Sequence, residues 1–290
     1  LLLYHFRFGH RNFRDVAAWL TSRGIPFKVP VKAPFCAACV QAKSARFPLR
    51  AVRIHVDAPR AGYMFHTDNC GPMSVPTRLG EPYFNILVDD YSRYIIVTLM
   101  KTQSGYYDVL GDIYTHLQAH LANDHPVAAL HSDCGTYFEK DLRVIEFCRR
   151  HGIRQTFSPP DTPALNAIAE RNIRTLCEMT RAMMLAASAP GPMWGEALVY
   201  AAFILNNLRM PYRNGATETR ESRFLGRPPP QGPNHRIVVW GCLCYALVTG
   251  HRPKTVGASK SVEGILLGYD ERRKCFRIAL KSERYEKIKF

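Results

Sequence analysis

Two apolar runs with a four-residue link between them limit this chain more than any other feature. Residues 83–89 (YFNILVD) and 94–100 (YIIVTLM) are rich in β-branched and aromatic side chains, which suit a pleated, half-buried surface. The link Asp90-Tyr91-Ser92-Arg93 is short enough to predict a hairpin. A further strand is expected over 65–68, ended by Gly71-Pro72. Beyond the hairpin the period changes. Helical spacing over 105–122, a strand at 127–131, a helix over 140–151 stopped by Gly152 and a strand at 153–157 follow in turn. After Ser158-Pro159-Pro160-Asp161 comes a long helix over 165–187, then another over 192–208. Three antiparallel strands followed by alternating helices and strands predict an α/β fold, a mixed sheet core flanked by helices.

The flanks have a different character. Residues 10–24 predict a short helix with Phe13, Val16, Ala17 and Leu20 on one face and Gly24 and Pro26 as its stop. Residues 26–60 are rich in Pro, Lys and Arg and enclose a close Cys pair, and 209–233 read as a Pro/Gly/Arg-rich connector. The tail predicts strands at 237–239, 242–248, 262–267 and 275–280, with turns at Gly250, Gly268 and 272–274, as in a small barrel-like β unit. Three domains are expected, at 1–55, 56–225 and 226–290.

Charge follows a similar division. The net charge is +15, yet residues 1–60 carry 11 basic and 2 acidic side chains, 61–230 carry 16 and 17, and 231–290 carry 12 and 5. Basic flanks around a near-neutral middle suit polyanion binding, because Lys and Arg displace counterions from phosphates. A merely solubilising surface would have the same charge without a ligand. No run of about 18 apolar residues is present, so no membrane span is expected. The start at Leu1 has neither Met nor the pattern of a secretory leader, as expected of a fragment or a processed product. With nine Cys and no leader, free thiols in a reducing, intracellular compartment are expected rather than a disulfide framework.

Two constellations carry chemistry. The first is His5-x4-His10 followed by Cys36-x2-Cys39, with Lys43, Arg46, Arg50 and Arg53 behind it. Two neutral imidazoles and two thiolates suit a closed tetrahedral zinc site. The i,i+5 spacing of the histidines does not fit one helix face, so the chain must bend near Gly9. Buried free Cys and surface His are the plainer explanation of the same residues. The second constellation is a set of acids. Asp68 ends the first strand, Asp133 in His131-Ser132-Asp133 ends a later one, and Glu170 lies early in the long helix. Strand ends and a helix start converge on one edge of such a sheet, and three hard oxygen ligands suit Mg²⁺ or Mn²⁺. Two such ions can activate an attacking oxygen and stabilise a leaving one in an in-line displacement.

Each acid also has a structural explanation. Asp68 could cap the turn before Gly71-Pro72, Asp133 the turn before Gly135, and Glu170 could pair with Arg174 at i,i+4. His131-Ser132-Asp133 is too local for a hydrolase triad, there is no Gly-rich phosphate loop, Trp194 and Trp240 suit core, and Asp89 and Asp90 suit the hairpin turn.

In their order, these residues resemble the integrase of copia-type (Pseudoviridae) retrotransposons, part of a Gag-Pol polyprotein, over nearly the whole chain. Tyr4-His5 through Gly9-His10 resembles that family's opening zinc segment, and Cys36-Ala-Ala-Cys39 with Lys43 and Pro48 its close. His66-Thr-Asp68 with Cys70-Gly-Pro-Met73 is similar to the strand bearing the first acid, Val88-Asp-Asp-Tyr-Ser-Arg93 to the next hairpin, and His131-Ser-Asp133 with Gly135 and Phe138 to the second acid. Asn166, Ala169-Glu170-Arg171-Asn172 and Arg174-Thr-Leu176 resemble the catalytic helix, and Trp194, Ala201, Asn206, Gly241-Cys242 and Gly264 to Gly268-Tyr269 the C-terminal part. The resemblance implies a ribonuclease-H-like core and DNA strand transfer by Asp68, Asp133 and Glu170 with Mg²⁺ or Mn²⁺. It also implies structural zinc at His5, His10, Cys36 and Cys39, DNA near Asn166, Arg171, Arg174 and Lys43, a homo-multimer on DNA ends, and work in the nucleus after a cytoplasmic particle stage. The chain departs from the family at Cys134 and Tyr137, beside the second acid, at Ala167, where the family has Gly, and in Glu218–Leu225, which lacks the usual Thr-Pro. These departures keep open a catalytically degenerate nucleic-acid-binding relic; a general nuclease of the same fold fits the zinc segment and basic flanks less well.

Overall fold

The computed structural model describes residues 1–28, 34–43, 58–120, 127–133, 136–158, 166–211, 217–228, 236–247, 261–271, 273–280 and 288–289. Arg46, Arg50, Arg53, Cys134, Gly135 and the Pro159–Asp161 stretch lie outside them. The elements run α1 (Leu2–Arg7), α2 (Phe13–Ser22), α3 (Ala37–Lys43), β1 (Met64–Cys70), β2 (Tyr83–Asp89), β3 (Ile95–Met100), α4 (Tyr106–His120), β4 (Ala129–Ser132), α5 (Thr136–Glu139), α6 (Leu142–Arg150), β5 (Arg154–Phe157), α7 (Ala167–Ala186), α8 (Trp194–Asn207), β6 (Arg209–Pro211), β7 (Thr217–Thr219), α9 (Arg220–Leu225), β8 (Leu243–Leu247), β9 (Ser261–Asp270), β10 (Cys275–Leu280) and β11 (Ile288–Lys289). The chain divides into two compact units. One gathers Leu1–Ala42, Met179–Ile204 and Gly232–Phe290; the other holds Lys43–Glu178 and Leu205–Gln231.

The second unit is built on a five-stranded mixed sheet in the order β3-β2-β1-β4-β5. β1, β2 and β3 are antiparallel neighbours, whereas β4 lies parallel to β1 and β5 parallel to β4. This is the mixed sheet that the run of strands and helices predicted. β2 is buried on both faces after Tyr83, which explains its near-continuous apolar sequence. Phe65, Leu87, Met100, Tyr106, Leu110, Leu130, Val144 and Phe224 pack into one apolar cluster, so the core joins β1 to β4 with α4, α6 and α9.

Local chemistry sets the boundaries. Thr102 caps the 3₁₀ turn that opens α4 and accepts from the Gly105 N–H at 3.1 Å, and Asp141 caps α6 by accepting from Arg143 N–H at 2.9 Å. β3 is an edge strand, and the Asn206 amide occupies the free backbone pair of Ile95, accepting its N–H at 2.9 Å and donating to its carbonyl at 2.7 Å. The connector expectation for 209–233 needs correcting. β6 and β7 pair there and α9 follows, opened by a capping box between Thr219 and Ser222. Helix α5 was likewise not legible, being only 4 residues long.

In the first unit a four-stranded antiparallel sheet has the order β11-β10-β9-β8. Among the described residues β8 and β11 are not paired, so the sheet is open there rather than barrel-like. Residues 237–239, expected as a strand, form no ladder. Side chains satisfy them instead. The Tyr200 hydroxyl donates to the Val238 carbonyl at 2.9 Å and accepts from its N–H at 2.8 Å, and the Arg7 guanidinium donates twice to the Ile237 carbonyl, at 2.8 and 3.1 Å. Trp240 is core, as expected, and its indole N–H donates to the Leu267 carbonyl at 2.9 Å.

Candidate active site

The sheet explains how residues distant in sequence meet. β1 and β4 are adjacent and parallel, with His66 level with His131, so Asp68 and Asp133 follow at the same sheet end. Glu170 stands in the first turn of α7. Asp68 is half-buried, and its carboxyl is raised from 3.8 to about 7. Burial is the main cause and the charge of Asp133 the next; the Asn69 backbone N–H, donating at 2.8 Å, opposes them, and the charge of Glu170 adds to the rise. The structure thus brings the three acids within electrostatic reach of one another. Asp133 and Glu170 are exposed. A half-buried carboxylate with further acids beside it is a group whose ionisation a bound cation would favour. Glu170 makes no ion pair with Arg174 among the described residues.

The supporting shell was partly missed in the sequence. Asn85, buried on β2, donates through Nδ2 to Thr67 Oγ1 at 2.9 Å, to the Asp68 carbonyl at 3.1 Å and to Asn69 Oδ1 at 2.8 Å. It fixes the backbone that carries Asp68. A lone amide inside YFNILVD was the available clue. The hairpin acids are structural, as expected. Asp89 accepts from the Gly62 and Ser92 N–H groups, both at 2.8 Å, while Asp90 accepts from Ala58 N–H at 2.7 Å and pairs with Arg93 at 2.9 Å. Burial nevertheless pushes the Asp89 carboxyl up to about 6. The His131 ring engages β5, with Thr156 Oγ1 at 2.9 Å and Ser158 Oγ at 3.1 Å.

Around α7 the expected DNA-facing residues separate by exposure. Arg171 and Arg174 are exposed, with Arg171 Nε donating to the Ala167 carbonyl at 2.8 Å; Lys43 is half-buried at the end of α3. Asn166 is buried just before α7, and neither its Nδ2 nor its Oδ1 is bonded among the described residues. Ala167, a departure from the family pattern, opens the helix without a positive φ, so no strain attends it. Cys70, at the end of β1, hydrogen-bonds the Cys177 thiol of α7, which holds the Cys70 thiol below its ordinary range despite burial and the nearby Asp68.

The second cluster lies in the other unit. α1 ends at Arg7, before His10, and the chain bends at Gly9 as the spacing of the histidines required. Gly9 and His10 turn left-handed (φ 57° and 60°), and the His10 N–H returns to the His5 carbonyl at 2.8 Å. That rewinding places His10 over His5. The left-handed φ of 57° favours glycine at position 9, and a Cβ there would also push the end of the Met179 side chain, 2.8 Å away. The Asn12 side chain then caps α2. Donor atoms of His5, His10, Cys36 and Cys39 all lie within 4.8 Å of one another. His10 Nδ1 is 3.2 Å from Cys36 Sγ and 3.6 Å from Cys39 Sγ, and His5 Nε2 is 3.3 Å from Cys39 Sγ. A tetrahedron with zinc–sulfur and zinc–nitrogen bonds of about 2.3 and 2.0 Å has nitrogen–sulfur edges of ~3.5 Å, so the four residues fit such an ion. His5 Nδ1, donating to the Arg11 carbonyl at 2.6 Å, leaves Nε2 as the ligand atom.

The second unit holds a mixed five-stranded sheet with acids at the ends of two adjacent parallel strands and at the start of a helix. Residues 58–163 match the integrase core domain. Over 280 residues, 95% of its length, it is 28% identical to the Retrovirus-related Pol polyprotein from transposon TNT 1-94 of Nicotiana tabacum, of which it spans about one fifth (20%). Among solved structures it is similar to a chain of the simian T-cell lymphotropic virus intasome bound to the PP2A regulatory subunit B56 gamma (TM-score 0.49, 16% identity, 80% of each chain covered). It is also similar to the HTLV-2 integrase catalytic core domain in complex with magnesium (TM-score 0.42, 14% identity, 57% of this chain and 98% of that one). No helix among the described residues is long and apolar enough to cross a membrane.

Proposed function

We propose that this chain joins the 3′ ends of an element's DNA to target DNA, with Asp68, Asp133 and Glu170 as the acidic ligands of two divalent ions. The observation that carries the reading is a half-buried Asp68 beside Asp133 and Glu170 at one sheet end, its carboxyl raised to about 7 by burial first and by the charge of Asp133 next. Mg²⁺ or Mn²⁺ bound there would activate the attacking 3′-hydroxyl and stabilise the leaving oxygen. Asp68 is the half-buried anchor, positioned by the Asn69 N–H and, through its strand, by Asn85. Asp133 and Glu170, being exposed, complete the site from the solvent side, where a polymer substrate can reach it. Arg171 and Arg174 extend positive charge along the exposed side of α7, suited to phosphates on either side of the reacting bond. Asn166, just before α7, and Lys43, at the end of α3, would lie near the DNA with them. We further propose zinc at His5, His10, Cys36 and Cys39, assembly as a homo-multimer on DNA, and nuclear action following a cytoplasmic particle.

Purified protein should join model DNA ends in Mn²⁺ or Mg²⁺, and Glu170→Gln should abolish joining while leaving the melting profile intact. Joining that survives Glu170→Gln would remove that residue from the site. The competing reading, a nucleic-acid-binding relic, rests on Cys134 and Tyr137. It predicts DNA binding with no Mn²⁺ uptake that depends on Asp68 and Asp133, which calorimetry distinguishes.

A further inference from the structure

Helix α9 grips the hairpin with two arginines one turn apart. Arg223 Nε donates to the Tyr91 carbonyl at 3.2 Å, and its guanidinium lies over the Tyr91 ring, 4.1 Å from the centroid. Arg220 reaches further. Its Nη1 donates to the Arg93 carbonyl at 3.0 Å and to Asn172 Oδ1 at 3.1 Å. One nitrogen thus joins α9 to the β2–β3 turn and to α7, across 127 and 48 positions of sequence. Both contacts continue towards the acids. Asn172 Nδ2 donates to the Ile168 carbonyl at 2.8 Å, in the helical turn that holds Glu170. The Arg93 guanidinium pairs with Asp90 at 2.9 Å, and Asp90 Oδ1 is 3.2 Å from His66 Nε2 on β1, the strand of Asp68. A continuous route from the strand of one acid to the helix of another therefore passes through Arg220.

We propose that Arg220 is a positioning residue, whose guanidinium fixes the spacing of Glu170 from Asp68 by tying Asn172 of α7 to the β2–β3 turn. Arg220 and Asn172 are half-buried, so the bond between them is partly shielded from water. Arg93 has a φ of 64°, a left-handed backbone that a side chain disfavours, and its carbonyl keeps that direction only where neighbours hold it. The guanidinium is not needed to start α9, because the capping box there is made by Thr219 and Ser222. Arg220 also stands in Glu218–Leu225, the segment without the usual Thr-Pro, so this chain makes the tie with a residue of its own. Mg²⁺ demands near-ideal octahedral geometry, so a small displacement of one acid weakens the site for that ion. That consequence rests on the proposed function; the tie between α9 and α7 does not.

Arg220→Pro tests the tie with little risk to the fold. Proline suits the first position of a helix, and the preceding Thr219 is extended, as a residue before proline must be. Asn172→Leu reads the same tie from its other end. In hydrogen exchange on the full chain, supplied with zinc, the α7 amides from Glu170 to Leu176 should exchange on the order of ten-fold faster in either variant, with β4 unchanged. The double variant should exchange no faster than the single ones, because both remove one contact. In strand transfer, Arg220→Pro should raise the half-saturating Mg²⁺ concentration by on the order of ten-fold, while DNA affinity measured without divalent ions stays the same. Unchanged exchange in α7, or additive effects of the two substitutions, would overturn the tie. Weaker DNA binding by Arg220→Pro, with a shallower dependence on salt, would make Arg220 a phosphate contact instead and overturn the proposal. Faster exchange with unchanged Mg²⁺ dependence would overturn the effect on the acids. Wild-type protein that never joins DNA would count against the integrase reading, with hydrogen exchange still deciding the tie.

Discussion

Replacing Asp68 by Asn should stabilise this protein when no divalent ion occupies the acids, and should do so only above a defined pH. In the folded chain the Asp68 carboxyl sits at about 7, against 3.8 for the free group. The folded state therefore binds this proton more tightly than the unfolded chain does. Between about pH 4 and 7 folding takes up a proton, so stability falls as pH rises through that window and the loss is complete above it. At about 1.4 kcal/mol per pH unit, the cost at pH 8 approaches ~4 kcal/mol. Asn keeps the shape and removes the charge, at the expense of a weaker bond to the Asn69 N–H, so a gain of roughly 2–4 kcal/mol remains. That corresponds to a rise in Tm on the order of 5–10 °C. The assay is thermal unfolding followed by intrinsic fluorescence from pH 4.5 to 8.5, with zinc equimolar and no Mg²⁺ or Mn²⁺. The difference should nearly vanish at pH 4.5, and Mn²⁺ should raise the wild type while leaving the variant unmoved. A variant that melts no higher than the wild type at pH 8 refutes the raised Asp68 carboxyl. Equal stabilisation of both by Mn²⁺ refutes Asp68 as a ligand.

Three further outcomes follow from the described contacts. Metal analysis under reducing conditions should give about one zinc per chain, and Cys39→Ser should lower both the zinc content and the melting temperature; wild-type protein with clearly less than one zinc would refute the site. Asn85→Ala removes the donor to Thr67, the Asp68 carbonyl and Asn69, and should cost on the order of 1–3 kcal/mol in denaturant titration together with a loss of strand transfer. Tyr200→Phe deletes the hydroxyl that both donates to and accepts from Val238, for roughly 1–2 kcal/mol, and hydrogen exchange should quicken at the Val238 amide.

The sheet was legible because its signals are local. Alternating or continuous apolar runs marked β2 and β3 within a residue, and Gly152 marked the end of α6 within two. What stayed hidden depends on partners far along the chain. Residues 237–239 have strand composition, but Tyr200 and Arg7 satisfy their backbone in place of a neighbouring strand. β6 and β7 are 3 residues each and hold no period to detect. At the site, residue types and order pointed to the acids and to the His/Cys cluster. The Asn85 support and the Cys70–Cys177 contact are cross-element pairings that no single window contains.

The first unit is assembled from the two ends of the chain and a helical segment between them, and the Arg7 side chain closes on a carbonyl 230 positions away. Loops of that length make for high contact order, and high contact order makes for slow folding. During synthesis the first forty or so residues leave the ribosome long before Tyr200, Ile237 or the terminal sheet exist to cover them. The proposed zinc would offer these residues an early fastening, since His5 lies in α1, Cys39 in α3, and His10 and Cys36 just beyond those helices. The second unit has nearly all of its sheet within one hundred consecutive residues and is under no such delay. Maturation of this protein is therefore ordered in time, with the sheet that bears the acids settling first and the unit built from the chain's two ends closing last.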